Sequence, residues 1–234
     1  MQNKDNLVRE IFSSVATKYD LMNNLMSAGV HHLWKKSLLE MMPNNKAHLL
    51  DVASGTGDVA RAFYKKAKQS GITPKVTISD VNIDMLEVGR EKFINQNILD
   101  IEYVHCNAEE LPFESNKFDY YTISYGIRNV TNIDKVLSEA YRVLKPGGKF
   151  MCLEFSKVES ELFSKLYENY SKIIPLMGEI VARDRDSYQY LVDSIKAFPP
   201  QETFLTMIKN ANFVKSGYVN LTKGVSAIHF GYKV

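Results

Sequence analysis

The sequence predicts a single α/β domain, a mainly parallel seven-stranded sheet that ends in an antiparallel hairpin, with helices added before and after the core. Three observations carry this reading. Short apolar runs alternate with helix-length stretches from residue 47 onward, a glycine-rich turn follows the first run, and the alternation stops beyond Phe155. The 234 residues, 45% of them hydrophobic, suffice for one domain with a full core and are short for two.

The elements follow in chain order. Leu7, Val8, Ile11, Phe12 and Val15 recur at helical spacing behind Asp5 or Asn6, either of which can cap a helix start. A second helical pattern, carrying Leu33, Trp34, Leu38, Met41 and Met42, stops near Pro43. Residues 1–45 therefore read as a helical lid. The runs HLLDVA, KVTISD, IEYVHC, FDYYTIS and GKFMCLEF read as strands of the cofactor-binding core, residues 46–156. The stretches between them at 59–68, 83–94 and 133–144 are long enough for right-handed crossovers, and Lys145-Pro146-Gly147-Gly148 is expected to end the last of these helices. Helical patterns broken at Pro175 and at Phe198-Pro199-Pro200 form a substrate-cover insert over 157–212, and residues 213–234 form a hairpin turning at Lys223-Gly224.

Composition excludes several classes. A net charge of +2, from 29 basic and 27 acidic residues, is too small to neutralise a nucleic-acid backbone, so no nucleic-acid partner is expected. Cys106 and Cys152 sit in no C-x-x-C pair and the five histidines show no ligand spacing, so no metal site is expected. The polar start and the lack of a long apolar run predict a cytoplasmic chain that neither leaves the cell nor spans a bilayer.

The chemistry concentrates at predicted strand ends. Asp51-Val52-Ala53-Ser54-Gly55-Thr56-Gly57-Asp58 closes the first strand and opens a helix, so the turn's backbone can approach a ligand closely. The spacing Gly55, Gly57, Ala60 also fits a dinucleotide-binding loop. Asp58 separates the two readings, because a carboxylate in the helix's first turn repels a pyrophosphate. S-adenosylmethionine carries no phosphate and brings an ammonium and a sulfonium, which Asp51 and Asp58 complement directly or through water. A purely local role for Asp58, capping the helix dipole, stays open. Asp80, at the tip of the second strand, is placed to accept hydrogen bonds from ribose hydroxyls. Asn107 and Ala108 follow the third strand, where a side-chain amide and a backbone N–H can meet an adenine edge. Ser124 and Gly126 end the fourth strand opposite the glycine turn. Arg128 and Asn129 lie just beyond, expected at the mouth of the crevice, where a cation stabilises a forming aryl oxyanion or else makes a surface salt bridge. The runs that mark amino methylation of adenine, or a Pro-Cys nucleophile for cytosine, do not occur.

Five parallel strands, a closing hairpin and such a cofactor loop are the layout of class I S-adenosylmethionine-dependent methyltransferases, a Rossmann-like fold. Across nearly its whole length the chain resembles the ubiquinone and menaquinone biosynthesis C-methyltransferases. The specific stretches are Lys18-Tyr19-Asp20, Gly126-Ile127-Arg128-Asn129 and Asn220-Leu221-Thr222; the glycine loop and Lys145-Pro146-Gly147-Gly148 are shared more widely. Two positions depart from the family pattern: Ser54 and Asn212 stand where glycine is frequent, and both are tolerable, asparagine because it accepts left-handed backbone. The resemblance implies Thr56, Asp80, Asn107, Ala108 and Ser124 as cofactor contacts, beside Asp51, Gly55 and Gly57. It implies a polyprenylated benzoquinol or naphthoquinol substrate, methylated on a ring carbon, with another phenol or a sterol as the alternative. In that mechanism Arg128 stabilises a phenolate, Asn129 orients a hydroxyl or water, and Tyr19 positions the ring or relays its proton, unless Tyr19 is a core aromatic. Water or an acid such as Asp184 accepts the proton. An isoprenoid tail further implies transient contact with the inner face of the membrane, through apolar residues near Leu25, Met26, Leu176 and Met177 that also fit an ordinary core. A homodimer, or assembly with other quinone-biosynthesis enzymes, is also expected.

Overall fold

The computed structural model describes residues 27, 29–43, 48–158, 179 and 185–234. The first helical pattern, Tyr19, Asp184 and the apolar residues named for membrane contact all lie outside them.

Helix α1 (His31–Glu40) precedes the sheet. The core then alternates β1 (His48–Val52), α2 (Asp58–Gln69), β2 (Lys75–Asp80), α3 (Ile83–Ile94), β3 (Ile101–His105), β4 (Phe118–Ser124), α4 (Ile133–Val143) and β5 (Leu144–Phe155). Helices α5 (Arg185–Ala197) and α6 (Gln201–Asn210) lead to β6 (Val214–Leu221) and β7 (Ser226–Tyr232). The order across the seven-stranded sheet is β3-β2-β1-β4-β5-β7-β6. β1 pairs in parallel with β2 and β4, and β4 with β5, whereas β7 runs antiparallel to both β5 and β6. One expectation shifts: Lys145 to Gly148 do not follow the helix as a separate stop but belong to β5, entering across a register irregularity against β4.

Side chains alternate across the sheet, so each strand feeds two cores. Leu49, Tyr120 and Met151 pack on one face with Trp34, Phe63, Phe93 and Tyr188; Leu50, Tyr121 and Cys152 pack on the other with Leu137, Phe204 and Phe213. That double burial explains why the central strands read as nearly continuous apolar runs. Helix starts are set locally: the Asn82 and Asn132 side chains accept from the N–H groups of Met85 and Lys135. Asn212 does adopt left-handed backbone, with φ of 70°.

The chain leaves β1 toward β2 on one side and returns to β4 on the other. This is the reversal point of an open α/β sheet, where the loops beyond the strand ends part and leave a crevice.

Candidate functional site

The crevice opens at that reversal point and is lined by Lys35, Asp51, Ser54, Thr56, Asp58, Val59, Ser124 and Tyr125. Its floor is built from strained and tightly packed backbone. Ala53 and Tyr125, just past the tips of β1 and β4, hold positive φ of 48° and 58°. Such conformations cost a side-chain-bearing residue of order 1 kcal/mol and persist where surrounding structure enforces them, often at ligand sites. Gly126 lets the two tips meet, since a Cβ there would lie 2.5 Å from that of Ala53. Gly57 supplies the left-handed residue ahead of α2 and leaves room for Phe93, which a Cβ would approach to 2.6 Å.

The acidic residues differ sharply in their surroundings. Asp51 is 1% exposed; its Oδ1 accepts from the Thr122 hydroxyl at 2.6 Å and its Oδ2 from the Ala60 N–H at 3.3 Å. Burial dominates those two bonds and pushes its carboxyl up to about 7. Asp80 shapes the glycine turn, its Oδ2 accepting from the Gly55 N–H at 2.8 Å and its Oδ1 from the Asn82 N–H at 2.9 Å. Burial raises its carboxyl too, against those backbone bonds. Asp58 is held by two cations: Lys35 Nζ of α1 at 3.0 Å and Arg61 Nη2 at 2.5 Å. Burial alone would raise it, but Lys35 and Arg61 outweigh burial and hold it at about 2. The expectation for Asp58 is thereby corrected. Its charge is already compensated inside the protein, so the carboxylate does not stand ready for a ligand's positive groups and does not by itself separate the two cofactor readings.

Thr56 receives a hydrogen bond from Lys92 Nζ at 3.1 Å on Oγ1. The hydroxyls of Ser54 and Ser124 are buried at the crevice wall and have no hydrogen-bond partner among the described residues. Buried polar atoms without partners are costly, so a polar ligand here would satisfy them. Asn107 and Ala108 lie on the loop after β3 and are not among the residues lining the crevice; the Asn107 Oδ1 accepts from the Glu109 N–H at 2.9 Å, leaving its amide donors unused by that bond. Glu109 in turn accepts from the N–H groups of Thr131 and Asn132, tying this loop to the one after β4.

Arg128 and Asn129 lie in a short 3₁₀ turn, Ile127–Asn129, after β4. Neither is at a mouth. Arg128 is 7% exposed, and its Nη1 donates to the Tyr125 carbonyl and to Glu154 Oε1, the latter at 2.8 Å. Its Nε reaches Ser194 Oγ at 3.3 Å, and its guanidinium lies 5.8 Å from the Phe155 ring centre. The Asn129 Oδ1 accepts from the Tyr190 hydroxyl of α5 at 3.2 Å. The expected position of Arg128 at the crevice mouth is corrected to a buried ion pair, because β5 brings a carboxylate up against it.

Sequence reasoning missed two of these residues. Lys35 was hidden on a helix whose apolar spacing drew attention to its other face. Glu154 was hidden within an apolar strand run. Its one readable signal is an acid placed next to the last residue of a strand buried on both faces, where a carboxylate needs a cation nearby. Among the described residues there is no group of three or more His, Cys, Asp or Glu side chains able to hold a metal, and no helix long and apolar enough to cross a membrane.

Comparison with known proteins agrees with this architecture. A Rickettsia akari (strain Hartford) protein described as ubiquinone/menaquinone biosynthesis C-methyltransferase UbiE is 51% identical over 233 residues, covering 99% of this chain and 94% of that one. An S-adenosylmethionine-dependent methyltransferase of Thermotoga maritima superposes with a TM-score of 0.67 at 18% identity, covering 97% of this chain and 99% of its own. A Haemonchus contortus phosphoethanolamine N-methyltransferase, solved with S-adenosyl-L-methionine, gives 0.64 at 19% identity over 86% of this chain and 52% of its own. The model of the ubiE/COQ5 methyltransferase family matches residues 1–233, and the chain belongs to that family.

Proposed function

We propose that this enzyme transfers the methyl group of S-adenosylmethionine to a ring carbon of a polyprenylated quinol in ubiquinone or menaquinone biosynthesis. The observation that carries the substrate class is full-length similarity, at 51% identity, to a protein named for that reaction. The crevice suits the cofactor on its own chemistry. It offers two buried hydroxyls with no partner among the described residues, Ser54 and Ser124, and one buried carboxylate with no cation bonded to it among them, Asp51. The ammonium of an amino acid end finds a partner in Asp51, and its polar oxygens find the two hydroxyls.

In this reading Asp51 meets the ammonium, Ser124 a polar group of the same end, and Asp80 the ribose hydroxyls, while Gly55, Thr56 and Gly57 provide the close backbone turn and Asn107 and Ala108 the adenine contacts. When bound, the cofactor supplies an electrophilic methyl on a sulfonium. A quinol ring carbon becomes nucleophilic once a neighbouring hydroxyl loses its proton, so the protein's task is to favour that oxyanion in a site closed to water. Arg128 stabilises it, Asn129 orients a hydroxyl, and Tyr19 positions the ring. The isoprenoid tail calls for a transient membrane contact near Leu25, Met26, Leu176 and Met177, which co-flotation with liposomes tests; a homodimer or a complex with other quinone-biosynthesis enzymes is tested by sizing.

The direct test of function is incubation with a short-chain benzoquinol and a short-chain naphthoquinol, followed by mass spectrometry of the product. Ring C-methylation is expected, and methylation on oxygen only, or none, would overturn the reading. Arg128→Ala should lower turnover at least about 100-fold, the scale of losing one oxyanion partner, with S-adenosylmethionine affinity little changed. Unchanged turnover would remove Arg128 from the chemistry.

A further inference from the structure

Beyond the crevice wall, Glu154 sits near the end of β5, 1% exposed, with one oxygen used and the other unused. Oε1 accepts from Arg128 Nη1 at 2.8 Å and from the Phe155 N–H at 2.9 Å. Oε2 is buried and has no hydrogen-bond partner among the described residues. The pair touches the crevice through Tyr125, whose carbonyl accepts from Arg128 and whose ring lies 5.0 Å from that of Phe155. No catalytic assignment made above uses this carboxylate.

Charge balance gives it a task. Arg128 in the resting protein is already neutralised by Glu154. A ring oxyanion formed beside the pair would have to share Arg128 with Glu154, two anions on one buried guanidinium, which a dry site disfavours. Moving the hydroxyl proton onto Glu154 avoids this, because cation, carboxylate and phenol become cation, carboxylic acid and phenolate with no change in total charge. We propose that Glu154 is the proton acceptor of the reaction, taking the hydroxyl proton of the quinol on Oε2 and thereby releasing Arg128 to pair with the ring oxygen. The inference rests on the quinol reading above.

The step balances. The ring O–H bond breaks, its electron pair stays on oxygen, and the proton bonds to a lone pair of Oε2. After methylation the substituted ring carbon loses its own proton to water and regains aromaticity, Glu154 returns its proton to the ring oxygen, and one proton in all reaches solvent. Burial raises the Glu154 carboxyl while Arg128 lowers it, so it holds a proton more readily than an exposed glutamate beside the same arginine. The described ionisable groups acting on the pair are Cys152, whose thiol and the Glu154 carboxyl repel as anions, and Tyr190, which feels the charge of Arg128.

Two phenolic substrates separate this role from a structural one: an ordinary short-chain quinol, and an electron-poor analogue already ionised at the assay pH. Glu154→Gln should turn over the ordinary quinol about 100-fold or more slowly, the scale of a lost general base, and the ionised analogue within a few-fold of the unsubstituted enzyme. Arg128→Ala should be slow on both. Equal losses on both substrates in Glu154→Gln, or none on either, would overturn the proposal. Melting temperature and S-adenosylmethionine affinity report whether the variant is folded. If it is not, absorbance decides with the unsubstituted protein and Glu154→Asp: a nitrophenol analogue bound without cofactor should show its phenolate band below its free pKa in both. A neutral phenol in both would refute the idea. Failure of the unsubstituted enzyme on every quinol would strike the quinol reading itself, a result distinct from either.

Discussion

Two ion clusters flank the crevice, one on each side of the β1/β4 reversal, and they are built for different purposes. The outer cluster joins Lys35 of α1 to Asp58 and Arg61 of α2, with side chains 13–20% exposed. The inner one pairs Arg128 with Glu154 at 3% and 1%. The outer trio holds a helix of the N-terminal segment against the glycine turn, and nearby water screens its charges. The inner pair has given up its hydration, and such pairs are often no more stabilising than apolar residues of the same size. Fold stability therefore gives little reason for an arginine and a glutamate there, whereas an enzyme that must create and neutralise an oxyanion away from water has one.

The comparison breaks most sharply if the inner pair proves to be a stabilising element. Arg128→Met and Glu154→Leu, each alone, should cost about 3–5 kcal/mol by stranding a buried charge, whereas the double variant should recover most of that loss. Urea unfolding of the four proteins measures the cycle. A double variant about as unstable as either single would mean the pair itself holds the fold together.

A third carboxylate sharpens the contrast. Asp51 is as buried as Glu154 but lacks a bonded cation, and burial pushes it up to about 7. Its folded pKa lies above its unfolded value of 3.8, so the folded state binds the extra proton between those limits. Asp51 thus favours folding below about pH 4, and that contribution is lost as pH rises toward 7, by a few kcal/mol at most. Thermal melts of the cofactor-free protein should show this decline, and Asp51→Asn should flatten it. Saturating S-adenosylmethionine should also flatten it, because an ammonium beside Asp51 stabilises the ionised form. A decline identical in Asp51→Asn would assign the effect to other groups.

The same contrast decides what could be read from sequence. The backbone of the cofactor half was legible because glycines and strand-end acids announce themselves locally: Gly57 must hold a positive φ, and Asp80 must follow its strand to reach the Gly55 N–H. The parallel core followed from alternation, and the hairpin from its turn at Lys223-Gly224. The charges were not legible, because an ion pair joins residues distant in sequence. Asp58 looked like a ligand group until α1 supplied Lys35, and Arg128 looked exposed until β5 supplied Glu154 across 26 positions. In each pair one member, Lys35 or Glu154, lay on an element whose own pattern spoke only of packing.

The smallest expected effect belongs to the outer trio, and its pH and salt dependence separate it from the inner pair. Asp58 sits at about 2, below its unfolded 3.8, because Lys35 and Arg61 overcome the penalty of burial. Its contribution, roughly 2 kcal/mol by linkage, is present above about pH 4 and is lost as pH falls toward 2. Lys35→Met should remove about half of it at neutral pH, since Arg61 remains at 2.5 Å, and the loss should shrink in molar salt. The cost of breaking the desolvated inner pair should hardly respond to salt. Urea unfolding at low and high salt, for Lys35→Met and Arg128→Met side by side, reads both. Equal salt sensitivity in the two variants would mean that water reaches Arg128 as readily as Lys35, and the case for a dry inner site would fall with it.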